Sequence, residues 1–434
     1  GKGKFQIDVA CEGTDFQCRR PVEDVPCVDG TEYIVGGGPV GTATWDRCNY
    51  VLLESTVVEP DAILTINPGV TVQGNFLDNG HAGGSVHLEA QGTIQAVGTE
   101  KHPVVFTALS EMWGGVVLHS NNNHLEHIYV EKADVGITVL GTETVIEAAN
   151  INTSNLGLRF EDGAAAAIKG LDITQVNNGI SIAKAEVSIQ DTIIAGHGDE
   201  GIGIDGVETV SSDFSRALVT GFQTGIRLYG CEFMMVDSSI TKNVNGVLVT
   251  GDNAGVTPGY DCPNMPNNPV PNVSRPPRIT SWWYRDPFFV HTDVVHNSGY
   301  AVRLEAPELL VIEDSNITDN GAGVVVWANE LHDDSHITRT NLHRNGNGVV
   351  QLDAAHVNGV LDISGNYWAQ ITDPELSASW QTTHRFDVTS SRNHTSNWSG
   401  CNWDGAKSRY ICGVYECRHN GSRPCTATVD VSWE

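Results

Sequence analysis

Six ionisable residues near the middle of the chain could work together on a charged substrate: Arg159, Lys184, Asp205, Asp213, Arg216 and Arg227. An Arg or Lys beside carboxylates can move a proton on an acidic sugar or offset its charge. Positions two after a recurring Gly read Thr138, Arg159, Ser181, Gly203, Arg227 and Leu248, and a period-2 pleat puts such positions on one face. Gly203 is then a low spot between Arg159 and Arg227, with the other four residues close in sequence. The same set also describes a solvated strand face with ordinary salt bridges. The sequence favours that plainer reading, because the six fill no complete catalytic pattern, and no catalytic residue is assigned.

Two knots of metal-type ligands stand out: His119, His124, Glu126 and His127 in HSNNNHLEH, and His332, Asp333, Asp334 and His336. A metal needs three or four convergent ligands, whereas neighbours on a strand point to opposite faces. Both knots therefore read as polar surface turns, and no metal site is expected. The phrase GIGIDG at 201–206 is half of a calcium-binding nonapeptide and occurs once, where such sites need tandem copies. A Pro-rich stretch from about 252 to 290 carries Trp282, Trp283, Tyr284, Phe288 and Phe289 with Arg278 and Arg285. Sugar rings stack on exposed aromatic faces, so Trp282, Trp283, Tyr284 and Arg285 are the expected ligand contacts, on a loop held by a rigid scaffold.

That scaffold is written as a repeat. Gly followed by an aliphatic alternation recurs at Gly136, Gly157, Gly179, Gly201, Gly225, Gly246, Gly299, Gly323 and Gly348, in steps of 21, 22, 22, 24, 21, 53, 24 and 25 residues. A fixed period of this size marks a solenoid, and the long step holds an insertion. Upstream of each phrase lies a second apolar position, such as Ile151, Ile173, Ile240, Ile317 or Leu342. Both halves alternate with period 2, which makes them strands and leaves no 3.6-residue stripe for a helical coil. The Asn, Asp, Ser and Gly between them are turn formers. The expectation is an all-β, right-handed parallel β-helix of about a dozen rungs over about 49–390. Ile137, Ile180, Ile202, Ile226, Val247 and Val324 should form one inward column.

The ten cysteines group as Cys11, Cys18, Cys27 and Cys48 before the repeats, Cys231 and Cys262 around the insertion, and Cys401, Cys412, Cys417 and Cys425 after them. Even local groups are what disulfides leave, and pairing within groups would staple caps at 1–48 and 391–434. Sequons at Asn152, Asn272, Asn316, Asn393, Asn397 and Asn420 are candidate glycosylation sites in an exported chain. The formal charge of −28 argues against nucleic acid and anionic lipid as partners. No apolar run is long enough for a spanning helix, so membrane insertion is not expected.

The segments ILTINPGVTVQG, GTIQAVGTEKHPVVFTA and MWGGVVLHS resemble the opening rungs of pectin-lyase-like right-handed β-helix repeat proteins of secreted and surface type, and SGNYWA at 364–369 is similar to their closing rung. The resemblance covers about residues 50–390 and implies the fold more than an activity, since the group mixes enzymes with non-catalytic surface proteins. Polysaccharide lyases of this fold use an Arg or Lys base and carboxylates on calcium, which would make calcium the cofactor of such an enzyme here. Gly196-His197-Gly198 resembles the His motif of polygalacturonases, but their Asp pairs and Arg-Ile-Lys are missing in register. The sequence thus favours an extracellular structural, adhesive or carbohydrate-binding element whose partner is a glycan or a matrix or surface protein. A lyase or glycosidase is the second reading, and a self-assembling filament or sheath subunit the third.

Overall fold

The structure, a computed structural model, describes residues 32–75, 86–161, 163–209, 211–230, 232–250, 288–305, 309–326, 335–346, 350–352, 359–360, 402–404, 409–411 and 416–417. Thirty-one strands pair in parallel with their equivalents on neighbouring turns, and the chain winds as a right-handed parallel β-helix. Each full turn supplies three strand segments, which stack into three faces called here sheets A, B and C. In one turn, Thr144–Asn152 runs through sheet A, bends at Ala148 and continues in sheet B; Leu156–Phe160 then lies in sheet C.

The bends are built from backbone geometry. Between sheets A and B the residues His127, Ala148, Asp191, Arg216, Asp237, His291, Asp314 and Arg339 all have φ between 47° and 54°. One left-handed residue per turn rotates the strand by a corner without breaking the ladder above and below it, and Asp tolerates that region better than most residues. A second such row, Lys132, Thr153, Gln175, Lys242, His296, Asp319 and Arg344, makes the corner between sheets B and C.

Period-2 alternation then sends every other side chain inward. Sheet A contributes Leu125, Ile146, Ile168 and Ile189, sheet B Ile151, Ile173, Ile194 and Val219, and sheet C Ile137, Leu158, Ile180, Ile204 and Ile226, all buried in one continuous core. Burial of this kind contributes about 25 cal/mol per Å2 of apolar surface along the whole coil. Two polar ladders run inside the corners as well. Asn243 Nδ2 donates to Asn297 Oδ1 at 3.2 Å, Asn297 Nδ2 to Asn320 Oδ1 at 2.9 Å, and Asn320 Nδ2 to Asn345 Oδ1 at 3.0 Å. Ser238, Thr292, Ser315 and Thr340 form the other, at the A–B corner: the Ser238, Ser315 and Thr340 hydroxyls accept backbone N–H groups of the preceding turn, and the Thr292 hydroxyl donates to the Met235 carbonyl there.

The expected inward column holds at Ile137, Ile180, Ile226, Val247 and Val324 and fails at Ile202. Ile204, not Ile202, pairs with both Ile180 and Ile226. In GIGID two registers two residues apart satisfy the same alternation. Close approach selects between them, since each sheet C glycine sits against the carbonyl of the next. A Cβ on Gly157 would lie 2.7 Å from the Gly179 oxygen and 2.8 Å from Ile173 Cγ2, and Gly203 continues that row. At the rung after the insertion Ala301, rather than Gly299, takes the place.

Two boundaries also move. Strand pairing begins at Tyr33–Val35, which pairs with Asn49–Leu52, so coil already occupies part of the stretch assigned to the N-terminal cap. Phe288–Val290, read as part of the long loop, is a buried sheet A strand paired with Phe233–Val236 and Val311–Glu313. Cys48 is disulfide-bonded. The side chains of the other nine cysteines lie outside the described residues, so the stapled caps remain an expectation.

Candidate functional site

The outer face of sheet C is a single file of side chains, one per turn. In register it runs Glu89, Val117, Thr138, Arg159, Ser181, Asp205, Arg227, Leu248, Arg303 and Val325. Asp205 therefore occupies the place the sequence reading gave to Gly203, which is buried beneath the strand. The gap expected between Arg159 and Arg227 is a carboxylate. With strands about 4.8 Å apart, Arg159 and Arg227 stand about 14 Å apart and Arg227 and Arg303 about 10 Å apart along the coil.

Each arginine is braced by an acid. Arg227 Nε donates to Asp205 Oδ1 at 2.8 Å and Nη2 to Oδ2 at 2.5 Å, a bidentate fork across adjacent turns. Those hydrogen bonds hold the Arg227 guanidinium above its ordinary range, against the opposing effect of burial. Arg303 Nη2 lies 2.7 Å from Glu305 Oε1, and Arg159 Nε 3.6 Å from Glu161 Oε1. Tyr300, at the start of the Arg303 strand, has its phenol pushed up to about 12, first by burial and then by Glu305, with Arg303 opposing. The Arg303 guanidinium carbon stands 5.8 Å from the centre of that ring.

The six residues grouped from the sequence do not converge. Arg159, Asp205 and Arg227 share the sheet C file. Lys184 sits in the turn that leaves sheet C, with Nζ 3.3 Å from Glu208 Oε2. Asp213 is on sheet A, in register with Ser188 and Met234, and Arg216 is at the A–B corner, donating to Asp191 Oδ1 at 2.5 Å and Oδ2 at 2.9 Å. Closeness in sequence misled because 20-odd residues close a full turn, so residues eight apart already lie on different faces. Arg303, Glu305 and Tyr300 were missed because they follow the insertion; the signal was the phrase GYAVRL, which has the same outline as TGIRLY at Arg227.

A depression of ≈ 590 Å3 lies elsewhere, over the A–B corner and sheet B. Its ionisable lining is Asp172, Asp191, Asp237 and Asp293 against Arg216 and His291. That balance is acidic, four carboxylates against one guanidinium and one imidazole, and it disfavours an anionic ligand there. Calcium does not fit sheet C either. The ion takes six to eight oxygens, whereas both Asp205 oxygens are bound to Arg227 and Glu305 is paired with Arg303.

In HSNNNHLEH the histidines part company. His119 Nε2 reaches Glu89 Oε1 at 3.3 Å on sheet C, while His124, Glu126 and Glu147 gather on sheet A. Burial alone would raise the Glu89 carboxyl, but hydrogen bonds from Gln91 and His87 and the His119 and His87 charges hold it below the usual carboxylate range. Trp282, Trp283, Tyr284 and Arg285 lie outside the described residues, as do Asn272, Asn393, Asn397 and Asn420. Asn316 is in the outer file of sheet B, where its Nδ2 donates to Asp293 Oδ1. Asn152 ends the sheet B strand, half-buried.

Residues 40–143 match the family model described as the pectate-lyase-like β-helix domain. The coil is a right-handed parallel β-helix whose residues 40–143 are similar to that domain. Solved structures similar to this β-helix include the periplasmic alginate epimerase AlgG, at 12% identity over 74% of this chain and 78% of that one, with a TM-score of 0.45. The alginate lyase from Paenibacillus sp. str. FPU-7 is 14% identical over 62% and 88%, with a TM-score of 0.32, and pectate lyase Pel9A 13% identical over 79% and 86%, with a TM-score of 0.33. No curated protein sequence matches the chain at a significant level. Among the described residues of this β-helix, no helix is long and apolar enough to cross a membrane.

Proposed function

We propose that this β-helix is a carbohydrate-active protein that takes an acidic polysaccharide lengthwise along the outer face of sheet C, and acts on it by proton removal next to the sugar carboxylate. The observation that carries the reading is the file Arg159, Asp205, Arg227, Arg303: three cations one behind another on a chain of formal charge −28. A polyanion is otherwise repelled by such a protein, so arginines in one file, three and two turns apart, select for repeated carboxylates. The match of the first turns to the pectate-lyase-like domain supports the same substrate class.

The chemistry follows from where charge develops. Removing the proton on the carbon beside a carboxylate leaves an electron pair delocalised into that carboxylate, which a fixed guanidinium stabilises. Arg227, held charged by Asp205, supplies this and cannot itself serve as the base. In this proposal the proton passes to a carboxylate on the same face, Glu305; expulsion of the glycosidic oxygen, protonated by Tyr300, then breaks the chain, whereas return of a proton to the other face inverts the carbon. Tyr300 keeps its proton at neutral pH and is the donor available beside Arg303. Trp282, Trp283, Tyr284 and Arg285, outside the described residues, are in this proposal the side chains that stack on sugar rings. Export to an extracellular or periplasmic compartment fits a polymeric substrate of this kind.

A second reading, a non-catalytic glycan-binding coil, is favoured by the bracing itself, since Asp205 and Glu305 already occupy two of the arginines. One experiment separates the two. The protein is incubated with polyuronates and with neutral polysaccharides of similar length, and both retention and the unsaturated or epimerised product are measured. Turnover of an acidic polymer with none of a neutral one supports the enzyme. Salt-sensitive retention without product leaves the binding coil, and no retention of any acidic polymer overturns both.

A further inference from the structure

On sheet A, three turns in from its first paired strand, Ala43–Trp45, three metal-type ligands converge. His124 and Glu126 are two apart on His124–Glu131 and so share its outer face. Glu147 is the direct cross-strand partner of Glu126 on the next turn. One ligand atom from each lies within 4.8 Å of both others. His124 Nε2 is 3.3 Å from Glu126 Oε2, and His127 Nε2 at the adjoining corner is 4.0 Å from Glu126 Oε1.

Three features are poorly explained by a plain strand face. Two carboxylates stacked in register repel each other and cost stability unless a cation lies between them. Lys169 follows Glu147 in the same file but forms no ion pair with it. His124 Nε2 is buried and lacks a hydrogen-bond partner, lying beside Glu126 outside hydrogen-bonding geometry. A buried, unmet ring nitrogen aimed at a carboxylate pair is what a ligand set looks like without its ion.

We infer that His124, Glu126 and Glu147 bind a divalent transition-type cation, best matched by zinc, on sheet A. One imidazole and two carboxylates suit zinc better than calcium or magnesium, which take oxygen alone. At metal–ligand distances of about 2.0–2.1 Å a tetrahedral site has edges of about 3.4 Å, close to the existing His124–Glu126 separation. Small rotamer adjustments of Glu147 complete the third edge, and His127 or water takes the fourth position. The ion ties two neighbouring turns together across the Glu126–Glu147 contact, away from the sheet C face.

The test is titration of the metal-stripped full chain with zinc chloride by calorimetry, alongside thermal melts with and without zinc. Wild type should bind one zinc at this site and melt higher with it. His124→Ala and Glu147→Gln should each weaken that binding at least tenfold and abolish the zinc-dependent rise, while Glu89→Gln, at the separate His87 and His119 cluster, changes neither. Circular dichroism without zinc checks that the variants are folded. Absence of binding at millimolar zinc in wild type, or unchanged binding in folded Glu147→Gln, overturns the site; loss in Glu89→Gln alone moves the ion to sheet C.

Discussion

Asp205 accepts both forks of the Arg227 guanidinium, at 2.8 and 2.5 Å, from the turn directly before it. The pair fixes a cation on an exposed face at a defined height along the coil, which a free arginine would not do. Such a pair is worth little to the fold: Arg227 is 43% exposed, and partly exposed ion pairs contribute about 0–1 kcal/mol. Arg227→Gln should therefore shift the urea midpoint only slightly. Arg227→Lys should be equally stable yet fail to restore polyuronate retention, because lysine cannot hold the bidentate fork. Full rescue by lysine would mean that charge alone suffices.

The buried Asn ladder carries far more stability. Asn297 Oδ1 accepts from both the backbone N and the Nδ2 of Asn243, at 3.1 and 3.2 Å. Asn297→Ala strands the buried Asn243 backbone N–H, while Asn243 Nδ2 keeps the Val219 and Thr241 carbonyls, and a cost of about 1–3 kcal/mol is expected from urea denaturation. Asn155→Ala, in an exposed outer pairing with Asp134, should cost under about 1 kcal/mol. Equal costs would show that the interior ladder is solvated.

Gly157 is a packing constraint rather than a turn. Its missing Cβ would press on the Gly179 carbonyl and on Ile173, so Gly157→Ala should destabilise by about 1–3 kcal/mol in the same assay. Gly163 has open space around it and φ of 85°, so alanine there acts through backbone strain alone. Neutral behaviour at Gly157 would contradict the close stacking of sheet C.

Acid should weaken the corner ladder. The hydrogen bonds of Arg216 to Asp191 and of Arg339 to Asp314 hold both carboxyls below their ordinary value. A lowered folded pKa gives stability that is complete above the unfolded value, near 3.8, and is lost as pH falls through the folded one. The double variant Arg216→Gln, Arg339→Gln should be slightly less stable than wild type at about pH 6 and indistinguishable from it at about pH 2. A gap that stays constant with pH would remove these pairs as its cause.

The fold could be read from the sequence because its evidence is periodic: Gly157, Gly179 and Gly225 recur with an aliphatic after each, and alternation fixes inside and outside. Register was harder. GIGID offers Gly201 and Gly203 on equal terms, and only the contact with Gly179 decides between them, a fact of three dimensions. That two-residue slip hid Asp205 from the Arg159–Arg227 file and put Gly203 there instead. Ligands from different turns were hidden for the same reason, since Glu147 joins His124 and Glu126 across a strand pair 21 residues away in the chain. The principle that strand neighbours diverge is correct, but His124 and Glu126 are second neighbours.

The most direct test of the central claim compares Arg227→Gln with Arg216→Gln in polyuronate turnover by the full chain. Both remove one arginine that is forked to an aspartate on the preceding turn, one on sheet C and the other at the A–B corner. The account predicts that Arg227→Gln loses product formation by at least a hundredfold, about 2.7 kcal/mol of transition-state stabilisation, while Arg216→Gln stays within twofold of wild type. Equal losses, or a loss confined to Arg216→Gln, would contradict sheet C as the working face.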